Sequence, residues 1–307
     1  MLLTFLSKFA GIILALLMLF SPAAPPTPYE VTDADTLSLS FAIIADTHIQ
    51  GIDTDASSQF GEAIRLIRGI NDMNSAVTPP DALIIAGDCT MNGQNMENSF
   101  LQAALATSKL DNLILAAGNH DLWEYEYNVS RNRFTSLYNR LTGRDIDKVN
   151  YATKIEGHYF IVLGTDENIP LPDGSGMSTA QAFHEAQLKW LEDTLAIAAN
   201  ETPGRPVFVI NHNPLAGDMA LNPVYNILNA CENEIYFFYG HMHSQFFTTT
   251  KWGNVRFVNV PAFHQGADSK VSGWGYVVEV YENRIEFRPR NFLTSEWLGS
   301  GFGFNVA

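Results

Sequence analysis

Cysteine and basic side chains are both scarce in this chain of 307 residues. Cys89 and Cys231 cannot form a disulfide framework, and two isolated cysteines are more typical of buried thiols. Only 18 Lys and Arg accompany 33 Asp and Glu, which gives a formal net charge of -15. Such an acidic surface repels polyanions, so it argues against nucleic acid as a partner. Small phosphorylated substrates are compatible with this negative charge, because bound cations reverse the electrostatic field locally.

Long apolar runs are also missing, except near the N-terminus. Lys8 precedes an apolar run over 9–20 and then Ser21-Pro22-Ala23, a pattern typical of a signal peptide. The run is short for a membrane span, although an uncleaved anchor in contact with a membrane stays open. We therefore expect a secreted or periplasmic protein. Its expected organisation is a signal peptide (1–23), a proline-containing linker (24–37) and one domain (38–307).

Short apolar runs alternate with helical patterns along the rest of the chain. The runs predict buried strands at Leu39–Ala45, Ala82–Ala86, Leu113–Ala117, Val207–Ile210 and Ile235–Tyr239. Apolar stripes predict helices over Ser58–Asn71, Asn98–Lys109 and Ala180–Ala199. This alternation indicates an α/β fold. Paired β-like segments in Tyr151–Thr165 and strand-rich sequence beyond Ser244 predict a second sheet packed on the first.

Polar side chains follow each of the five apolar runs. They are Asp46-Thr47-His48, Gly87-Asp88, Gly118-Asn119-His120-Asp121, Asn211-His212 and Gly240-His241-Met242-His243. Ligands bind at the carboxyl ends of strands in α/β sheets, and carboxylates, an amide and imidazoles are metal ligands. On an extended strand, Asp46 and His48 would share one face. A loop can instead separate His241 and His243 toward two ions.

Each of these residues has an ordinary structural explanation when it is taken alone. A histidine can be a hydrogen-bonded core residue, Asp88 can cap a helix, and Asn119 can fill a left-handed position. Five such coincidences at five strand ends are a poor explanation of the whole pattern. The pattern therefore favours a metal site.

The ordered motifs D-x-H, G-D, G-N-H-D, a lone H and G-H-x-H resemble those of the calcineurin-like metallophosphoesterase superfamily. The resemblance implies a four-layer sandwich of two mixed β-sheets flanked by helices, with a dinuclear metal site at the strand carboxyl ends. It implies that one metal is held by Asp46, His48, Asp88 and His243. It implies that the other is held by Asp88, Asn119, His212 and His241, so that Asp88 bridges.

The resemblance also implies an activity. Two divalent ions, manganese, iron or zinc, would support hydrolysis of a phosphomonoester or phosphodiester by in-line attack of a metal-bridging hydroxide. His120, oriented by Asp121, would protonate the leaving oxygen or stabilise charge on it. The substrate would be a small phosphorylated molecule.

Departures from two branches of the superfamily narrow the resemblance. His48 and Met91 stand where purple acid phosphatases have Gly and Tyr, and the chain lacks the Arg of the G-D-x-V-D-R-G motif of protein Ser/Thr phosphatases. Gly87-Asp88-x-Thr90-x-Asn92-Gly93 is closer to the cyclic-nucleotide-phosphodiesterase-like and related bacterial members. A nuclease of the same superfamily and a noncatalytic secreted metal-binding protein stay open as alternatives.

Several residues near the motifs keep two interpretations. Trp123, Tyr125 and Tyr127 either pack in the fold or cover a substrate. His264 is a further candidate for the border of the pocket. The sequence does not indicate the oligomeric state or the physiological substrate.

Overall fold

The computed structural model describes residues 36–51, 61–123, 126–169, 181–243, 249–264 and 272–306. The predicted signal peptide and all but the last two residues of the predicted linker lie outside these segments. The leader and the domain boundaries therefore stay predictions. Within the described segments, no helix has the length and apolar character needed to cross a membrane.

The described residues form thirteen strands and five α-helices. The strands are β1 (Leu37–Ile44), β2 (Ala82–Ile85), β3 (Asn112–Leu115), β4 (Tyr151–Ile155), β5 (His158–Val162), β6 (Val207–Ile210), β7 (Ile235–Tyr239), β8 (Thr249–Trp252), β9 (Val255–Asn259), β10 (Trp274–Tyr281), β11 (Arg284–Asn291), β12 (Glu296–Trp297) and β13 (Phe302–Asn305). The helices are α1 (Gly61–Asn74), α2 (Asn95–Leu105), α3 (Tyr127–Thr142), α4 (Glu185–Glu201) and α5 (Pro223–Asn229). A short 3-10 helix covers Met219–Leu221.

The strands form two mixed sheets, as expected. The first has the order β12-β11-β10-β1-β2-β3, with β13 also paired to β11. In it β1, β2 and β3 are parallel, whereas β10 is antiparallel to β1. The second has the order β4-β5-β6-β7-β9-β8, in which β5, β6, β7 and β9 are parallel. Antiparallel strands close both of its edges.

The division of strands between the sheets differs from the expectation. All five predicted buried strands form, but β6 and β7 belong to the second sheet, and the C-terminal strands β10 and β11 extend the first. The expectation that the strands beyond Ser244 build a separate second sheet is therefore wrong, because only β8 and β9 do so. An apolar run shows that a strand is covered on both faces and does not show which strand pairs with it.

The two faces of the second sheet pack against different layers. Phe208 and Ile210 of β6 point toward the first sheet, whereas Val207 and Val209 belong to a second cluster with α4 and α5. Phe41 of β1 meets the ring of Phe208 edge-on at 5.1 Å between the sheets. Helices α1, α2 and α3 cover the outer face of the first sheet. The four-layer sandwich is confirmed.

Helix boundaries moved by a few residues from the predicted ones, and two helices were not predicted. Residues 58–60 and 180 of the predicted helices lie outside the described segments. Helix α3 is largely polar, and α5 spans only seven residues, so neither shows a clear apolar stripe. Both cysteines are free; Cys89 is buried, as expected, and Cys231 is half-buried.

A buried ion pair ties the outer helix α1 to the first sheet. Arg290 of β11 donates two hydrogen bonds to the carboxylate of Asp72, at 2.6 and 2.7 Å. Both residues are 2% exposed or less, and the guanidinium also lies 4.7 Å from the ring of Trp297. Removing either partner would leave an uncompensated charge in the core.

We expect Arg290→Met to lower the free energy of unfolding by about 3–5 kcal/mol, because Asp72 would lose its buried partner. Adding Asp72→Leu should recover part of this loss, since no charge is then stranded. Lys189→Met is the control, because Lys189 pairs with Asp193 on the exposed face of α4. Urea unfolding followed by circular dichroism measures all three. An Arg290 variant no less stable than the control would contradict the account.

Candidate metal centre

The five motif loops converge because the strands before them run parallel within each sheet. Loops after β1, β2 and β3 leave the first sheet, and loops after β6 and β7 leave the second. Backbone hydrogen bonds join the loops to one another. Asp46 donates its N–H to the carbonyl of Gly87 at 3.0 Å, and Gly240 donates to the carbonyl of His212 at 3.0 Å. Their side chains therefore meet at one rim.

A first group of side chains surrounds Asp46. His243 Nε2 lies 3.1 Å and His48 Nε2 3.7 Å from Asp46 Oδ1. His48 Nε2 also lies 3.7 Å from Asp88 Oδ2. One ligand atom from each of these four residues falls within 4.8 Å of the others, so together they could hold a metal ion. These are the four residues expected at one metal.

A second group shares Asp88 with the first. Asp88, His212 and His241 also place their ligand atoms within 4.8 Å of one another. His212 Nε2 lies 3.0 Å from Asp88 Oδ2. Asn119 is held near this carboxylate, because the next residue, His120, donates its backbone N–H to Asp88 Oδ1 at 2.9 Å. The structure thus brings Asp88 between two groups, as the bridging role requires.

Two buried polar atoms indicate that a cation belongs here. His212 Nδ1 faces the carbonyl of Ala86 at 2.9 Å and must carry a proton, since a carbonyl only accepts. In the neutral ring, Nε2 therefore presents its lone pair to the Asp88 carboxylate. Asn119 Oδ1 is buried without a hydrogen-bond partner, and His212 Nε2, also buried, lies 3.0 Å from Asp88 Oδ2. Lone pairs of imidazole, amide and carboxylate fit a divalent cation.

The protonation equilibria show the same need for positive charge. Burial disfavours ionisation of Asp46, but hydrogen bonds from His243 and His48 outweigh it and hold the pKa of the carboxyl group below its ordinary value. Burial also opposes charge on His212, yet the adjacent Asp88 raises its pKa to about 9. The protein without metal thus binds protons where a cation would neutralise the carboxylates.

The backbone is left-handed at five of the expected ligands. The φ angles are 53° at Asp46, 41° at His48, 48° at Asp88, 66° at His241 and 46° at His243. Non-glycine residues seldom adopt this conformation, and it concentrates at functional sites. The expectation that Asp46 and His48 share a face of an extended strand is wrong. They lie beyond β1 and converge because the loop turns.

Two motif glycines are required by close contact. A Cβ atom on Gly118 would lie 2.0 Å from Asp88 Oδ1, and one on Gly87 would lie 2.4 Å from His212 Nδ1. Gly87 also has a φ of 87°, which L side chains seldom adopt. The glycines of the G-D and G-N-H-D motifs thus let the backbone pass directly behind the side chains that could hold metal ions.

His120 lies beside the first group. Its ring meets that of His48 edge-on at 4.7 Å between centroids and stacks on Trp123 at 5.1 Å. His120 Nδ1 lies 2.7 Å from the carbonyl oxygen of Met91, so Nδ1 carries a proton and Nε2 is not used by this hydrogen bond. A backbone carbonyl and an aromatic face therefore fix the plane and the tautomer of this imidazole.

The expectation that Asp121 orients His120 is wrong. Its buried carboxylate accepts hydrogen bonds from the backbone N–H groups of Cys89, Thr90 and Gly118, at 3.1, 2.8 and 2.9 Å, and from the Thr90 hydroxyl at 2.8 Å. Burial and the nearby Asp88 raise its pKa to about 6 despite these bonds. Asp121 thus holds the loop that carries Asp88 against the loop after β3.

The remaining candidates have separate outcomes. His264 lies at the first group: its backbone N–H donates to the carbonyl of Asp46 at 3.0 Å, and its Nε2 lies 3.4 Å from His243 Nδ1. Trp123 covers His120 and is 39% exposed. The Tyr127 hydroxyl donates to the carbonyl of Thr165 at 2.7 Å, which is a packing role. Tyr125 lies outside the described residues.

Comparisons with known proteins agree with the fold. A family model described as calcineurin-like phosphoesterase matches residues 39–245. No curated protein matches the chain. A purple acid phosphatase from yellow lupin (Lupinus luteus) seeds is 12% identical, with a TM-score of 0.56 over 87% of this chain and 53% of its own. The sulfate thiohydrolase SoxB of Thermus thermophilus is 12% identical, with a TM-score of 0.53 over 88% of this chain and 59% of its own. This chain thus spans just over half the length of those two chains, and the likeness shows the fold.

We expect two divalent ions per chain. Asp88→Ala should lose both, because Asp88 faces both groups, whereas Asn119→Ala should mainly weaken the ion near His212. Metal analysis after dialysis measures this. His184→Ala is the control, since His184 is exposed and pairs with Glu167 on the surface. Two ions still tightly held by the Asp88 variant would rule out the shared position.

Proposed function

Because the chain belongs to the calcineurin-like phosphoesterase family, we propose that it is a two-metal phosphoesterase that hydrolyses a phosphomonoester or phosphodiester of a small molecule. The observation that carries the proposal is the sharing of Asp88 between two groups of ligand atoms. Two divalent ions at such a site lower the pKa of a water molecule and neutralise charge on the phosphoryl oxygens. Manganese, iron and zinc all suit this donor set.

His120 is the residue of this chain placed to act on the leaving group. With Nδ1 bonded to the Met91 carbonyl, Nε2 is the nitrogen that can exchange a proton with a bound substrate. A proton delivered from Nε2 to the ester oxygen would prevent an alkoxide from leaving as an anion. Trp123 limits rotation of the ring by stacking on it. His120 would thus act as general acid without binding either metal.

The two other functions are less well supported. A nuclease needs basic side chains along a backbone-binding surface, and the net charge of -15 argues against one. A noncatalytic metal-binding protein would not need an imidazole fixed beside the metal groups, as His120 is. The leader sequence supports the further proposal that the enzyme works outside the cytoplasm.

Metal dependence tests the proposal directly. Protein loaded with manganese should hydrolyse 4-nitrophenyl phosphate, bis(4-nitrophenyl) phosphate or both, and a chelator should abolish the release of nitrophenolate. Adding manganese back should restore the rate, while magnesium, which prefers oxygen ligands, should restore less. Hydrolysis that survives complete removal of metal would refute the proposed chemistry. Failure of a broad panel of esters with both metals bound would favour the noncatalytic alternative.

Substitution of His120 separates proton donation from other roles. His120→Ala should retain both ions and lower the rate on an alkyl ester by about 10²–10⁴-fold, since an alkoxide needs a proton to leave. The loss on a nitrophenyl ester should be much smaller, because nitrophenolate leaves without one. Equal losses on both esters with metals intact would exclude general acid catalysis. Asp121→Asn should differ from His120→Ala by weakening metal retention, because the Asp121 carboxylate anchors the loop that carries Asp88.

A further inference from the structure

A cavity adjoins the second metal group on the side where His241 lies. Its volume is about 570 Å³, within the range of small-molecule sites. His241 lines it together with residues from the loop after β6 and from the start of α5. The apolar lining residues are Phe183, Pro214, Leu215, Ala216, Pro223, Val224 and Met242. No Asp, Glu, Lys or Arg is among the described residues that line it.

Two of the three amides that line the cavity, Gln181 and Asn222, are engaged with the protein itself. Gln181 and Asn211 form a reciprocal pair, in which Asn211 Nδ2 donates to Gln181 Oε1 at 2.6 Å and Gln181 Nε2 donates to Asn211 Oδ1 at 3.2 Å. Asn222 Oδ1 accepts the backbone N–H of Tyr225 at the start of α5, and its Nδ2 donates to the carbonyl of Ala216. These two amides therefore have fewer free polar atoms to offer a ligand, and most of the other lining residues are apolar.

The cavity and His120 border different metal groups. His120 contacts His48, which belongs to the group around Asp46, whereas the cavity is lined by His241, which belongs to the group with His212. A leaving alcohol must reach His120 to receive a proton. A substituent in the cavity is thus a different one, and it stays on phosphorus when the leaving group departs.

On the basis of the proposed function, we infer that the substrate is a phosphodiester whose retained alcohol is uncharged and largely apolar, and that the cavity beside His241 binds it. Apolar walls gain free energy from burying such a group. A carboxylate or a second phosphate would lose its hydration there without meeting a cation from the wall. The cavity therefore selects by charge as well as by size.

Diesters with one common leaving group isolate this effect. The substrates are methyl, phenyl and 4-carboxyphenyl esters of 4-nitrophenyl phosphate, all of which release nitrophenolate. We expect kcat/KM for the phenyl ester to exceed that of the methyl ester, and that of the carboxyphenyl ester, by about 10-fold each. Equal kcat/KM for the three diesters would overturn the inference. So would a higher kcat/KM for 4-nitrophenyl phosphate than for every diester.

A charge placed in the wall should reverse the preference. Leu215→Lys should remove the advantage of the phenyl ester and raise kcat/KM for the carboxyphenyl ester by about 10-fold, since the new ammonium pairs with the carboxylate. Ala216→Lys, at an exposed lining position, repeats the test without disturbing packing. Leu221→Lys is the matched control, because Leu221 is 79% exposed and does not line the cavity. Lining variants that behave like this control would overturn the inference.

Binding without turnover separates the cavity from the catalytic proposal. Phosphonates keep their carbon–phosphorus bond, so calorimetry on the manganese-loaded protein measures affinity alone. Phenylphosphonate should bind about 10-fold tighter than methylphosphonate, and Leu215→Lys should abolish the difference. If this holds while no ester is hydrolysed, the phosphoesterase proposal fails and the cavity assignment stands. If esters are hydrolysed while the two phosphonates bind equally, only the cavity assignment fails.

Discussion

Two buried carboxylates, Asp46 and Asp88, impose the arrangement of the entire rim. Each is 1% exposed or less, and an uncompensated carboxylate in such surroundings is strongly unfavourable. Imidazoles from two other loops lie close to these carboxylates, with His212 at 3.0 Å from Asp88 and His243 at 3.1 Å from Asp46. These imidazoles lie on loops of the second sheet, whereas the carboxylates lie on loops of the first. The attraction between them therefore also holds the two sheets together at this edge.

The loops that bring these side chains together contain residues in the unfavourable left-handed conformation. The neighbouring strands hold the ends of these loops in place and so stabilise that conformation. The strained loops leave strands that are hydrogen-bonded on both edges, and further backbone bonds continue the pairing beyond them. His48 donates its N–H to the carbonyl of Asp88 at 3.0 Å, and Ile49 forms an isolated bridge with Thr90. The Asp121 carboxylate adds its bonds to this frame. Residues with positive φ are stable here because several independent hydrogen bonds of the surrounding structure fix the same backbone conformation.

The buried strands and most of the residues at the rim could be predicted from the sequence, because burial and ligand chemistry both produce recognisable sequence patterns. Strands covered on two faces are apolar runs, and the residues after them are the polar ones that meet at the rim. No such pattern indicates which strands belong to which sheet. The left-handed loops could not be predicted either, since φ at Asp46 or His48 is set by neighbours distant in the chain.

The role of Asp121 shows the same limit more sharply. A carboxylate next to His120 in the sequence suggests an Asp–His pair, yet the two side chains point to different partners. The true partner of the imidazole is the Met91 carbonyl, and a backbone carbonyl is present at every residue, so it carries no sequence signal. What distinguishes Met91 is its position in the loop that Asp121 anchors. The carboxylate therefore reaches the imidazole indirectly: by fixing the turn at Cys89 and Thr90, it places both the Asp88 carboxylate and the carbonyl that holds His120.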